Sequence, residues 1–168
     1  MNVRIRPEGP DDAQAIDCVT VAAFAAAPHT DHTEHFIVRA LRAADALTLS
    51  LVAEADGKVV GHVAVSPVAI TDGSLDWFGL GPISVLPAAQ GRGIGSALMV
   101  EALQRLRNRP AAGCVLLGDP AFYRRFGFRP VAGLALPGVP AEYFLALAFG
   151  NAFPQGNVAY HPAFKATA

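Results

Sequence analysis

The stretch QGRGIGSA, Gln90 to Ala97, sets three glycines and an arginine directly ahead of a run with helical periodicity. The first N–H groups of a helix have no intrahelical acceptor, and the helix dipole adds partial positive charge at the same end. Glycine at positions 91, 93 and 95 keeps side chains out of the way and permits positive φ angles, so a large anion can approach bare backbone. Arg92 adds a side chain suited to a charge-assisted contact. The stretch therefore reads as an anion-binding loop.

Three motifs compete for it. A P-loop requires a lysine followed by Ser or Thr after its last glycine, and Gly95 is followed by Ser96-Ala97 with no lysine in the loop. A dinucleotide fingerprint would run Gly91, Gly93, Ser96, with serine in place of the third glycine, and belongs to an alternating strand-helix sheet. The residues upstream read instead as hairpins. The third motif is (Gln/Arg)-x-x-Gly-x-(Gly/Ala), and Gln90-Gly-Arg-Gly93-Ile-Gly95 matches each of its fixed places.

Outward from the loop, the chain punctuates itself. VRIRP alternates as a first strand, PDDAQAIDCVTVAAFAAAP reads as a helix begun by Pro10 and Asp11 and ended at Pro28, and DHTEHFIVRALRAAD has amphipathic helical spacing. LTLSLVAEA and KVVGHVAVSPVAIT flank Asp56-Gly57, a two-residue hairpin signal. SLDWFGLGPISVLP then pairs back after a turn at Asp72-Gly73. Gly79, Gly81 and Pro82 are unusual inside a strand, and Gly81-Pro82 predicts a bulge or a loss of pairing there. IGSALMVEALQRLRN is a helix with Leu98, Leu103 and Leu106 on its apolar side and arginines toward its end. GCVLLG is a buried strand. GDPAFYRRFGF is a short helix with Asp119 as N-cap, Pro120 at its first position and Gly127 as its stop. YFLALAF is a last strand, and GNVAYHPAF reads as a proline-broken tail.

The whole chain bounds these readings. Its 168 residues suit one domain over 1–168, with a formal charge of -1 and no apolar run of membrane-spanning length. No basic field points to nucleic acid or an anionic membrane, and no apolar segment follows the N-terminal arginines as a secretory signal would. Cys18 and Cys114, the only cysteines, read as reduced, packed thiols of a cytoplasmic protein, working as a monomer or homodimer. HTDHTEH, residues 29–35, crowds metal-ligand side chains but lacks the HExxH order and sits at a helix start, where acidic residues are ordinary. No metal is expected.

The loop motif and the order of the elements resemble the GCN5-related N-acetyltransferases, the GNAT family. The resemblance extends to the small bacterial acetyltransferases of the YhbS type through LVAEADGKVVGHVAVSPV, LGPISVLPAAQGRGIGSALM, VLLGDPAFYRRFGF and the terminal YHPAF, covering Arg4 to Phe164. It implies an α/β fold, a mixed and mostly antiparallel sheet with helices on both faces, opened by a V-shaped split between the fourth and fifth strands. It implies acetyl-CoA as co-substrate, no metal, and a primary amine of a small molecule or peptide as acceptor, attacked directly at the acyl carbonyl. Ile83, Ser84 and Val85 would offer backbone groups to the pantetheine arm, and Gln90, Gly91, Arg92, Gly93, Ile94, Gly95 and Ser96 would hold the pyrophosphate. Tyr123 matches the family's general acid beside the CoA sulfur.

Each proposed catalytic group also has a plainer role. Tyr123 could pack beside Phe122 and Phe126, although helical spacing turns it about 100 degrees from Phe122, toward a cleft mouth. Glu34 lies where the family's first two helices wall the acceptor side, and its plain role is a solvated surface residue. His62 reads either as a packed, hydrogen-bonded core histidine or as a cleft-facing base. The competing function from another class is a non-catalytic acyl-CoA-binding module, against which Tyr123 counts because a pure binder needs no proton donor.

Overall fold

The computed structural model describes residues 2–28 and 30–168. Strand β1 (Val3–Pro7) precedes helices α1 (Ala13–Phe24) and α2 (Glu34–Ala43). Strands β2 (Leu49–Ala55), β3 (Lys58–Ile70) and β4 (Trp77–Val85) follow, then α3 (Ile94–Arg107) and β5 (Gly113–Leu117). The chain ends with α4 (Pro120–Tyr123), β6 (Leu134–Ala135), β7 (Phe144–Ala148) and β8 (Gly156–Tyr160). The strand order is β1-β2-β3-β4-β5-β7, with β8 paired to the far end of β3 and to β6.

The hairpin and cap signals are realised. Asp56 and Gly57 both take positive φ, 52° and 76°, as a primed two-residue turn requires. Asp119 Oδ1 accepts from the Ala121 N–H at 2.9 Å, and Gly127 ends the following 3-10 turn at φ 98°. Helix α1 begins later than its Pro10-Asp11 signal, because the Asp12 carboxylate accepts from the Gly9 N–H and pairs with Arg6 at 2.6 Å. It ends at Phe24, ahead of Pro28.

Two expectations are corrected. Gly156–Tyr160 is a strand rather than a broken tail, with Val68, Ala69 and Ile70 of β3 opposite Tyr160, Ala159 and Val158. Its proline lies beyond the paired residues, so no ladder donor is lost. Cys18 is exposed, on the outer side of α1, while Cys114 is buried as expected.

Helices cover both faces of the sheet. On one, Gly61 leaves room for Leu98 and Ile94 of α3, whose methyl groups lie 3.1 and 3.2 Å from where its Cβ would be. On the other, Ile16 of α1 and Val38 of α2 bury against Val52 of β2. Side chains alternate along a strand, so Leu51 and Ala53 join the α3 core while Val52 faces α1 and α2.

The decisive departure from regularity is in β4. It pairs in parallel with β5 only through Trp77, Phe78 and Gly79, opposite Gly113, Cys114 and Val115. From Leu80 to Val85 it keeps β3 alone, with Gly81 and Pro82 bulged opposite Ala64. Strand β5 meanwhile continues with β7 through Leu117. The sheet therefore opens into a V at the Gly-Pro step, where proline has no N–H for a neighbour.

Candidate active site

The loop foreseen as an anion site joins β4 to α3 through a 3-10 turn at Pro87–Ala89. Gly91 and Gly93 take φ values of 75° and 80°, and a Cβ at either would meet nothing within 4 Å, so these glycines serve conformation and leave open space. The Gln90 side chain turns back to donate to the Val85 carbonyl at 3.1 Å, tying the loop to the free end of β4. The first N–H of the helix to find a protein acceptor is that of Ala97, to Gly93 O at 3.0 Å. Among the described residues, the six N–H groups from Gly91 to Ser96 have none. Six unpaired donors, three in the loop and three in the first turn of a helix of 14 residues, make an anion cradle of backbone alone. The Arg92 side chain is exposed beside it.

On the opposite side, a cavity of about 370 Å³ runs from the split toward α1 and α2. Leu80, Gly81, Pro82 and Ile83 of β4 form one wall, and Leu117 and Tyr123 close the β5 side. Glu34 and Ile37 of α2 lie across from them, with Phe24 at the end of α1. The C-terminal segment supplies Tyr160 and Phe164, whose rings stack at 4.8 Å between centroids.

Tyr123, Glu34 and Ile83 are thus brought to one cavity from three separate elements. The Tyr123 ring lies over Gly118, and a Cβ there would stand 2.2 Å from it, so the glycine after β5 makes room for the phenol. Phe122 meets Tyr123 edge-on at 4.8 Å and Phe126 at 5.5 Å, which leaves the Tyr123 ring on the cavity side of the aromatic cluster. Burial raises the Tyr123 pKa above its ordinary value, so the phenol stays protonated. Glu34 Oε2 accepts from the Thr30 hydroxyl at 2.6 Å, which orients the carboxylate at the helix start.

His62 lies elsewhere. It is fully buried on the α1 and α2 face of the sheet, outside the cavity lining. The Ser50 hydroxyl donates to the Glu8 carboxylate, so it accepts from His62 Nε2–H at 2.8 Å, leaving Nδ1 as the lone-pair nitrogen. Glu8 in turn pairs with Arg42 of α2 at 2.9 Å. Burial pushes the His62 pKa down to about 4, against the pull of Glu8 and with help from Arg42. Ser84, its cross-strand partner, is buried with its hydroxyl unpartnered, while Val85 pairs with Gly61 at the free end of β4.

No motif marks Tyr160 or Phe164, but Tyr160 leaves a signal in the sequence. A glycine within a strand marks a close approach, and the Tyr160 ring stands 2.3 Å from where a Gly79 Cβ would be. Phe24, Ile37 and Leu117 carry no such mark, since each is an ordinary apolar residue of its element.

Residues 47–130 match the family model described as an acetyltransferase (GNAT) domain. The chain is 40% identical over 168 residues to the "Uncharacterized N-acetyltransferase YhbS" of Escherichia coli K12, covering 96% of this chain and 98% of that one. It belongs to the GNAT family of N-acetyltransferases. A GNAT acetyltransferase from Brucella melitensis, crystallised with acetyl-CoA, superposes with a TM-score of 0.87 at 54% identity, over 98% of this chain and 99% of that chain. The crystal structure of Escherichia coli YhbS in complex with CoA gives 0.89 at 35% identity, over 100% and 94%. The parallel β4–β5 pair that splits is the GNAT arrangement, and the loop and the cavity lie on its two sides.

Proposed function

We propose that this GNAT enzyme transfers an acetyl group from acetyl-CoA to a primary amine that enters from the α1 and α2 side. The observation that carries the reading is the six unpaired N–H groups of Gly91 to Ser96 at one end of a strand edge left free from Leu80 to Val85. A pyrophosphate fits a cradle of bare N–H groups, and an amide-bearing arm fits a strand edge without a neighbour. The crystallised relatives with acetyl-CoA and CoA support the same co-substrate.

Acetyl-CoA supplies an activated acyl carbon with a thiolate leaving group, and the chain supplies position and proton transfer. Glu34 takes the proton of the entering ammonium, and the neutral nitrogen attacks the acyl carbonyl. The C–N bond forms as the C–S bond breaks, with the electron pair leaving on sulfur. The Tyr123 hydroxyl, kept protonated by burial, gives its proton to that sulfur, and the second proton, shed by the nitrogen as it becomes the amide, returns the phenolate to the neutral phenol. A backbone N–H on the free edge of β4 stabilises the carbonyl oxygen as charge develops, a contribution of about 3 kcal/mol in comparable sites. His62 takes no part in this scheme, because its ring is sealed in the core and away from the cavity.

Release of free thiol from acetyl-CoA in the presence of primary amines tests the proposal. Amine-dependent release is expected. Tight acetyl-CoA binding with no release across small amines and peptides would instead identify a binding module.

A further inference from the structure

The lining of the cavity is chemically one-sided. Among the described residues that line it, all but Glu34 are apolar or aromatic, and none is a lysine, arginine or histidine. Phe24, Tyr160 and Phe164 supply ring surface, and Ile37, Leu80 and Leu117 supply aliphatic surface. Pro82 has no N–H, so the β4 wall lacks a donor at that step.

We infer that the acceptor is a small primary amine on an uncharged apolar or aromatic body, with no carboxylate beside its nitrogen. The inference rests on the transferase reading above and narrows it to a substrate class. An ammonium group finds the Glu34 carboxylate and the faces of aromatic rings, both of which attract a cation. A carboxylate on the same molecule finds no cation among the described lining residues and would lie near Glu34, a like charge, in a site that strips its water. A peptide main chain fares little better, because the free β4 edge that could pair its amides is the edge assigned above to the arm of acetyl-CoA. A volume of about 370 Å³, part of which receives the acyl group, accommodates a single-ring amine and little more.

The experiment compares 2-phenylethylamine with phenylalanine, a tripeptide beginning with phenylalanine, and ethanolamine, at saturating acetyl-CoA. We expect kcat/KM for 2-phenylethylamine to exceed that of each of the others by about 100-fold or more. Calorimetry of 2-phenylethylamine with the protein and CoA, where no reaction occurs, should show saturable binding, and phenylalanine none at equal concentration. Equal or better turnover of phenylalanine, the tripeptide or ethanolamine would overturn the substrate class and leave the transferase reading standing. Acetyl-CoA binding with no turnover of any of the four would remove the transferase reading and the class with it. Phe24→Arg provides a second arm, because Phe24 belongs to none of the buried core clusters and its replacement sets a cation in the lining. In the folded variant the preference for 2-phenylethylamine over phenylalanine should shrink at least about tenfold. An unchanged preference would show that the cavity does not read the carboxylate.

Discussion

At the α3 side of the split, the anion cradle consists of N–H groups from six consecutive residues. On the opposite side, the cavity is lined by side chains drawn from α1, α2, β4, β5, α4 and the C-terminal segment, between Phe24 and Phe164. The first is built by local backbone geometry and the second by tertiary assembly. A locally built site survives whatever leaves its own few residues intact. A tertiary site fails when any of its distant supports moves, so the two sides should respond differently to the same insult.

Acid is the largest such insult. Helix α2, which carries Glu34 and Ile37, is tied by Arg42 through Glu8 and Ser50 to His62 in the sheet. Burial works against the Glu8 carboxylate, but hydrogen bonds from Arg42 and Ser50 outweigh it and hold its pKa below the ordinary value. His62 binds its proton only below about pH 4 in the folded chain, against an ordinary 6.5. Between those values the unfolded chain holds the extra proton, so stability is fully present above pH 6.5 and falls as pH drops toward 4. The gap corresponds to about 3 kcal/mol. Thermal unfolding of the parent and of His62→Asn across this window should show a markedly shallower decline in the variant. Parallel declines would mean that a buried neutral His62 is not the source.

Tyr123 tests the separation of the two sides more directly. Tyr123→Phe should lower kcat by roughly 100-fold, the contribution of a positioned general acid. Its cofactor dissociation constant should stay within about twofold of the parent, since the cradle proposed for the pyrophosphate is backbone elsewhere. Single-turnover kinetics decide the matter, and an unchanged chemical step would mean that the thiolate leaves without Tyr123.

The reciprocal change is Gly93→Glu. Gly93 sits at φ 80° in open space, so the new side chain meets no protein atom nearby but brings strain and a negative charge to the cradle. The dissociation constant for acetyl-CoA should rise at least about tenfold, or about 1.4 kcal/mol. Acceptor binding measured on a CoA-saturated sample should change little. Unaltered acetyl-CoA affinity in the folded variant would remove the anion-site assignment.

This difference in construction also explains what the sequence disclosed. The loop was legible because its function depends on glycines at fixed spacing in one stretch, and the split because Gly81-Pro82 interrupts a strand locally. Tyr123 and Glu34 stand out in the sequence only through family resemblance, and their meeting in one cavity depends on how α2 and α4 dock. Tyr160 remained hidden because its role depends on β8 folding back along β3, a pairing between residues some 90 apart that no periodicity encodes. His62 was ambiguous for a related reason. Alternation along β3 assigns it to one face, but only the packing of α1 and α2 over that face seals it from the cavity.

The smallest expected effect concerns HTDHTEH, because a metal there would make the acceptor side a local motif like the loop. His29 lies outside the described residues, and among the described ones no three His, Cys, Asp or Glu side chains converge as a metal site. The segment has other engagements. The Thr30 hydroxyl donates to Glu34 at 2.6 Å, and the His35 ring stacks on Phe36 at 3.9 Å between centroids. These contacts order the start of α2 without an ion. A metal held at a hundred times its dissociation constant would add about 2.7 kcal/mol, enough to move the melting temperature of a domain this size by several degrees. Melting curves with and without a strong chelator should therefore coincide. A drop on chelation, together with stoichiometric zinc by elemental analysis, would show that the acceptor wall is pinned by its own short motif and that the contrast between the two sides is smaller than their geometry indicates.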